Sequence, residues 1–217
     1  MPFPQEKGYT SEDYWNLPEN HRAELIDGKF YDMAPPQRIH QEIVLELSAA
    51  IREYIREKGG NCRIYMAPFP VNPDREGRDW VEPDISVACD PAKLTDRGCS
   101  GAPDLAAEIV SPSSSRMDYI IKLALYSGTG VREYWIVDPD RGRTTVYFLE
   151  KADVPVLYSF DQPIASGVFR DWWLRFPICC PGSKRSGWRP PDPSICRAET
   201  KMAGDWQGSA IPPQISK

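Results

Sequence analysis

The chain has 217 residues, 41% of them hydrophobic and 26% charged, with a formal net charge of −5, which suits a soluble fold with one globular domain and some length left over. No run approaches the roughly 20 apolar residues of a membrane helix, and the opening MPFPQEKGYT lacks the apolar stretch of a secretory signal, so a cytoplasmic protein with no membrane partner is expected. The acidic balance argues against a protein that coats nucleic acid by general electrostatics, yet it is tolerable for an enzyme that gathers cations around carboxylates.

The first predicted element is a short helix that starts at Thr10, with Asp13 in its first turn, and ends before Pro18, because a capping hydroxyl and an acid both satisfy exposed amide donors. Ala23 to Met33 reads as a hairpin turning at Asp27-Gly28, with Leu25 and Ile26 before the turn and Phe30 and Tyr31 beyond it. From His40 to Lys58 the apolar residues Ile43, Val44, Leu47, Ala50, Ile51, Tyr54 and Ile55 follow the helical period, and Gly59-Gly60 stops it. Cys62 to Met66 and Trp80 to Ala88 read as strands joined by a polar, proline-rich stretch.

Leu105 to Val110 is apolar on both faces except at Glu108, the pattern of a central strand. Ser111-Pro112-Ser113-Ser114-Ser115 ends it and offers capping hydroxyls to a helix over Met117 to Ser127, which Gly128 and Gly130 close. Glu133 to Val137 and Thr144 to Leu149 are further strands, separated by the turn Asp140-Arg141-Gly142. Strands linked through helices favour a mixed α/β sheet with helices on its faces. Residues 1–176 are therefore expected to form the domain. The segment 177–217, with seven prolines and four glycines, follows no period. It is expected to be a disordered tail, although an altered reading frame equally produces such a composition.

The six cysteines, Cys62, Cys89, Cys99, Cys179, Cys180 and Cys196, contain no CxxC pair, and only His21 and His40 could complete a zinc site. They are expected to be reduced thiols. There is also no Gly-x-Ser-x-Gly elbow, Walker loop, Gly-x-Gly-x-x-Gly or His-Glu-x-x-His, so serine hydrolases, nucleotide-binding enzymes and zincins fall in rank.

Carboxylates on predicted strands remain. Asp84 stands at the Glu82-Pro83-Asp84 entry to an apolar strand, and Glu108 lies inside the most apolar strand of the chain. A buried carboxylate is costly unless paired. A hard divalent cation is one partner, and an ion pair is the other. Lys122, four residues after Asp118, is either an ordinary acid-before-base helix pair or a cation that stabilises phosphate charge. Glu24 and His40 are each open to a structural or a site role. Arg75, Arg78, Lys93, Arg97, Arg116 and Arg132 could touch phosphate or simply be solvated.

Several segments in order, namely Ala23 to Gly28, His40, Glu82 to Val87, Ala102 to Ser114, Asp118 with Lys122 and Tyr126, and Gly130 to Pro139, together resemble the Uma family of restriction-endonuclease-like proteins in the PD-(D/E)XK nuclease superfamily. The resemblance implies an α-β-β-β-α-β core, a metal ion that is usually magnesium with manganese as an alternative, and hydrolysis of DNA phosphodiesters. It matches Asp84 to the metal-binding aspartate and Glu108 to its acidic partner. The superfamily's lysine normally lies two residues after that acid, where this chain has Val110. Lys122 on the following helix is the matching candidate. Glu24 matches the acid of the family's hairpin, His40 its motif histidine, and Asp118 is a possible supporting acid. A DNA endonuclease is the first expectation, and a homodimer follows from the need to cut two strands. A nuclease fold retained without cleavage, as a DNA-binding or protein-interaction module, is the alternative.

Overall fold

The apolar stripe along Arg38–Lys58 forms a 21-residue helix whose Ile43, Leu47 and Ile51 face one side of a central sheet, and Gly59 stops it with φ at 71°. The computed structural model describes residues 8–151, 154–170, 172–175 and 199–202. In chain order these are α1 (Ser11–Trp15), β1 (Ala23–Ile26), β2 (Lys29–Asp32), α2 (Arg38–Lys58), β3 (Arg63–Met66), β4 (Val71–Asn72), β5 (Ile85–Ala88), β6 (Leu94–Thr95), β7 (Gly98–Ser100) and β8 (Leu105–Ile109). A π-helical segment (Met117–Lys122) then runs into α3 (Leu123–Thr129), followed by β9 (Glu133–Asp138), β10 (Arg143–Tyr147), β11 (Val156–Ser159), β12 (Ile164–Ala165), β13 (Trp172–Arg175) and β14 (Glu199–Met202).

The main sheet has the order β11-β10-β9-β8-β5-β3. Within this sheet, among the described residues, only β8 and β9 pair in parallel, because the helical segment between them carries the chain back to the same end. Taken in sequence, α2, β3, β5, β8, α3 and β9 give the expected α-β-β-β-α-β order. Alternation along β8 sends Leu105, Ala107 and Ile109 toward α2 and Ala106 toward Tyr126 of α3. The same period puts Glu108 on the α3 side.

The hairpin turns where expected. Asp27 and Gly28 both adopt positive φ, 49° and 70°, as a two-residue hairpin turn requires. A Cβ on Gly28 would lie 3.0 Å from the Gly8 Cα, so the close passage of the two backbones needs glycine here. Thr10 caps α1 and exchanges hydrogen bonds with Asp13 in a full capping box.

Two expectations are corrected. The strand expected over Trp80 to Ala88 begins only at Ile85, because Trp80 bridges to Leu25 and Val81 to Val71. Pro83, which has no N–H to donate, separates these bridges from β5. The cysteines are not all reduced: Cys62 and Cys89 form a disulfide across β3 and β5, while Cys99 is free and buried. The antiparallel register that places Arg63 opposite Ala88 brings these two cysteines face to face, a pairing that spacing alone does not reveal. The expected disordered tail, 177–217, lies outside the described residues apart from β14, which pairs with β13. Among the described residues, no helix is long and apolar enough to cross a membrane.

Candidate functional site

The register of β5 on β8 sets Ile85 opposite Ala107. Continued by one residue, it sets Asp84 opposite Glu108, so the two carboxylates meet at one end of the sheet. The Ile109 amide donates to Asp84 Oδ2 at 2.7 Å, and the Asp84 amide faces Glu108 Oε2 at 3.4 Å. Glu24 joins them from β1 because the hairpin is tied to the segment before β5. Its Oε1 accepts from the Glu82 amide at 2.8 Å. Glu82 in turn is held by the Tyr14 hydroxyl and the Arg22 guanidinium.

The π-helical segment supplies the cation. Asp118 and Lys122 on this segment and Tyr126 in α3 follow one another at four-residue spacing, which puts them on one helix face, and all three are buried. Lys122 Nζ lies 2.8 Å from Glu108 Oε1 and 2.9 Å from Glu24 Oε1. The ordinary helix pair with Asp118 is therefore not the contact that forms. Asp118 instead accepts from Ser114 Oγ at 2.7 Å, and the Tyr126 hydroxyl donates to Glu108 Oε1 at 3.3 Å. From the first turn of α2, His40 Nε2 lies 3.0 Å from Asp84 Oδ2.

All six sequence candidates, Glu24, His40, Asp84, Glu108, Asp118 and Lys122, line one cleft of about 390 Å³. The sequence assigns no site role to Tyr126, Arg22 or Ser114, the last read only as a capping hydroxyl, and of these Ser114 and Arg22 line the same cleft. The stripe Asp118, Lys122, Tyr126 was the available signal for the tyrosine. The basic residues weighed as phosphate contacts do not line this cleft. Arg132 is paired with Asp104 and Glu150, Arg78 with Asp27, and Arg97 lies over Trp15.

Charge in the cluster is lopsided. Burial pushes the Glu108 carboxyl well above its ordinary value against the pull of Lys122, with Asp84, Asp118 and Glu24 adding to the rise. Burial likewise pushes Asp118 up to about 6. Burial opposes the Lys122 ammonium, but Glu108, Glu24 and Asp118 outweigh it and hold the amine well above its usual range. Burial is the leading cause for the two carboxyls, and the surplus of carboxylate around a single ammonium adds to their rise while it holds Lys122 up against burial.

A carboxyl with a raised pKa binds its proton more tightly in the folded state, so its ionisation opposes folding. For Asp118 that opposition is absent below its ordinary 3.8 and complete above about 6. The cation-free protein is thus expected to lose stability as pH rises from about 4 to 7, and Asp118→Asn to flatten the slope. Thermal melts in EDTA across this range check it; a midpoint that rises with pH contradicts it.

Among the described residues, no group of three or more His, Cys, Asp or Glu side chains is arranged as a metal site. The donor chemistry nevertheless fits a hard cation. Asp84 Oδ1 has no hydrogen bond among the described residues, and Glu108 Oε2 has only the long contact to the Asp84 amide. Two carboxylates suffice for magnesium, which keeps several waters and takes the rest of its ligands from substrate phosphate.

A family model described as Uma2, putative restriction endonuclease, matches residues 11–177. An uncharacterized protein from Synechocystis, slr1290, is 28% identical over 128 residues, which is 58% of this chain and only 64% of that relative's length. The structure is also similar to the crystal structure of a putative nuclease belonging to DUF820 from Anabaena variabilis. The TM-score is 0.61 at 23% identity, covering 74% of this chain and 90% of that one. That likeness carries the fold, which is restriction-endonuclease-like.

Proposed function

We propose that this chain, which belongs to the Uma2 putative restriction endonuclease family, is a divalent-cation-dependent endonuclease hydrolysing phosphodiester bonds in DNA. The observation that carries this reading is the meeting of Asp84 and Glu108 across β5 and β8, with the Lys122 ammonium 2.8 Å from Glu108, inside a cleft. Asp84 and Glu108 would hold magnesium, or manganese in its place. When bound, such a cation polarises a phosphoryl oxygen and makes its water a better nucleophile.

The chain's own groups complete the chemistry. Lys122 has three N–H donors, and its contacts to Glu108 and Glu24 leave one to meet a phosphate oxygen as charge builds there. Preorganised donors of this kind act most strongly in a buried site. Glu24 keeps the ammonium charged and in place, and Tyr126 fixes the Glu108 oxygen that Lys122 also touches. Cutting both strands of a duplex calls for two such sites, so a homodimer is part of the proposal.

The test is incubation of the purified protein with plasmid, linear and single-stranded DNA in magnesium, manganese or EDTA. Internal cuts that need the cation are expected. DNA binding with no cleavage under any cation overturns the nuclease reading and leaves a nuclease-fold binding module.

A further inference from the structure

The site contains a histidine for which the reaction just outlined has no use. His40 is the third residue of α2, and the helix is fixed on the sheet by Ile43, Leu47 and Ile51. Its imidazole is therefore delivered to one place. There Nε2 lies 3.0 Å from Asp84 Oδ2, with the two side chains only 15% and 16% exposed. A carboxylate can only accept, so Nε2 carries the proton of this bond. In the neutral ring Nδ1 is then an acceptor, and the Gln41 amide nitrogen, a donor, faces it at 3.4 Å.

Asp84 Oδ2 thus takes two donors at once, His40 Nε2 and the Ile109 amide, whereas Oδ1 has none among the described residues. A carboxylate free to turn offers either oxygen or both. One gripped at Oδ2 offers Oδ1 in a fixed direction. We infer that His40 is a positioning residue, its tautomer set by Gln41, which clamps Asp84 Oδ2 so that Oδ1 alone is presented to a divalent cation. The inference rests on the proposed cation site, and it assigns to His40 no direct bond to the metal. Partners of this kind, which orient a ligand without touching the ion, commonly change affinity by about 10- to 100-fold.

The test titrates manganese into the full chain and its variants, alongside nitrogen NMR of the cation-free protein. His40→Ala is expected to weaken manganese binding by about 10- to 100-fold. His40→Gln, which keeps an N–H donor at similar reach, is expected to restore most of the loss, and Gln41→Ala to weaken binding less than His40→Ala does. NMR should show a protonated Nε2 and a bare Nδ1 at His40, a preference that Asp84→Ala removes. Electron spin echo spectra of bound manganese should show no directly coordinated imidazole nitrogen.

Unchanged affinity in His40→Ala overturns the inference. So does a ring protonated at Nδ1 alone, or an imidazole nitrogen coordinated directly to manganese. A wild-type chain that binds no manganese overturns the cation site itself. The clamp on Asp84 is then decided by NMR alone: it stands if the Nε2 proton is lost in Asp84→Ala and falls if the tautomer does not change.

Discussion

Replacing Glu108 with alanine is expected to lower cation-dependent cleavage at least about a hundredfold, the scale on which a buried electrostatic contributor to a transition state acts, while the fold survives. The fold should survive because Glu108 sits in a crowded set of acids that, with burial, disfavours its charge. Its carboxyl is held well above its ordinary value by burial and by Asp84, Asp118 and Glu24. Removing it relieves that repulsion, and Lys122 keeps Glu24 at 2.9 Å. Asp84→Ala is expected to lose cleavage on the same scale, since it supplies the other half of the carboxylate pair. Circular dichroism establishes folding, and the rate of plasmid nicking in magnesium reads the effect. A variant that nicks at the wild-type rate removes its residue from the mechanism.

Lys122→Ala should behave in the opposite way, with stability lost before chemistry can be judged. The ammonium is 5% exposed and faces two carboxylates that are 5% and 4% exposed. Deleting one partner of a buried ion pair leaves the others uncompensated and costs about 3–5 kcal/mol. The loss should be read by urea unfolding of the cation-free protein. If unpaired charge is the cause, adding Glu24→Gln and Glu108→Gln to Lys122→Met should recover much of it, because neutral groups of similar volume often replace a buried ionic cluster at little cost. A loss below about 1 kcal/mol, the level of an exposed pair, contradicts the placement of Lys122.

The parts of this architecture that were legible in sequence are those that local chemistry decides. The apolar period from Ile43 to Ile55, the Asp27-Gly28 turn and the Thr10 cap each depend on residues within a few positions, and each element formed where expected. Trp80 and Val81 misled because their partners, Leu25 and Val71, come from other segments. The small sheet β4-β7-β6 was missed because its two- and three-residue strands are too short to show a period. The Cys62–Cys89 bridge was missed because it depends on the register of β3 on β5.

At the site, Asp84 and Glu108 stood out as acids on apolar strands, which is a local signal. Lys122 did not, since spacing alone pairs it with Asp118. Its actual partners, Glu24 and Glu108, lie far away in sequence, and only resemblance to a family singled it out. The π-helical turn over Met117–Lys122 leaves no compositional mark, and neither does the grip of His40 on Asp84.

Calorimetric titration of magnesium into the wild-type chain and into Glu108→Ala tests the central claim most directly. The account predicts saturable binding to wild type that vanishes in the variant, with both proteins equally folded by circular dichroism. Matching isotherms for the two proteins would contradict it, because the acids that meet across β5 and β8 would then have no part in holding a cation.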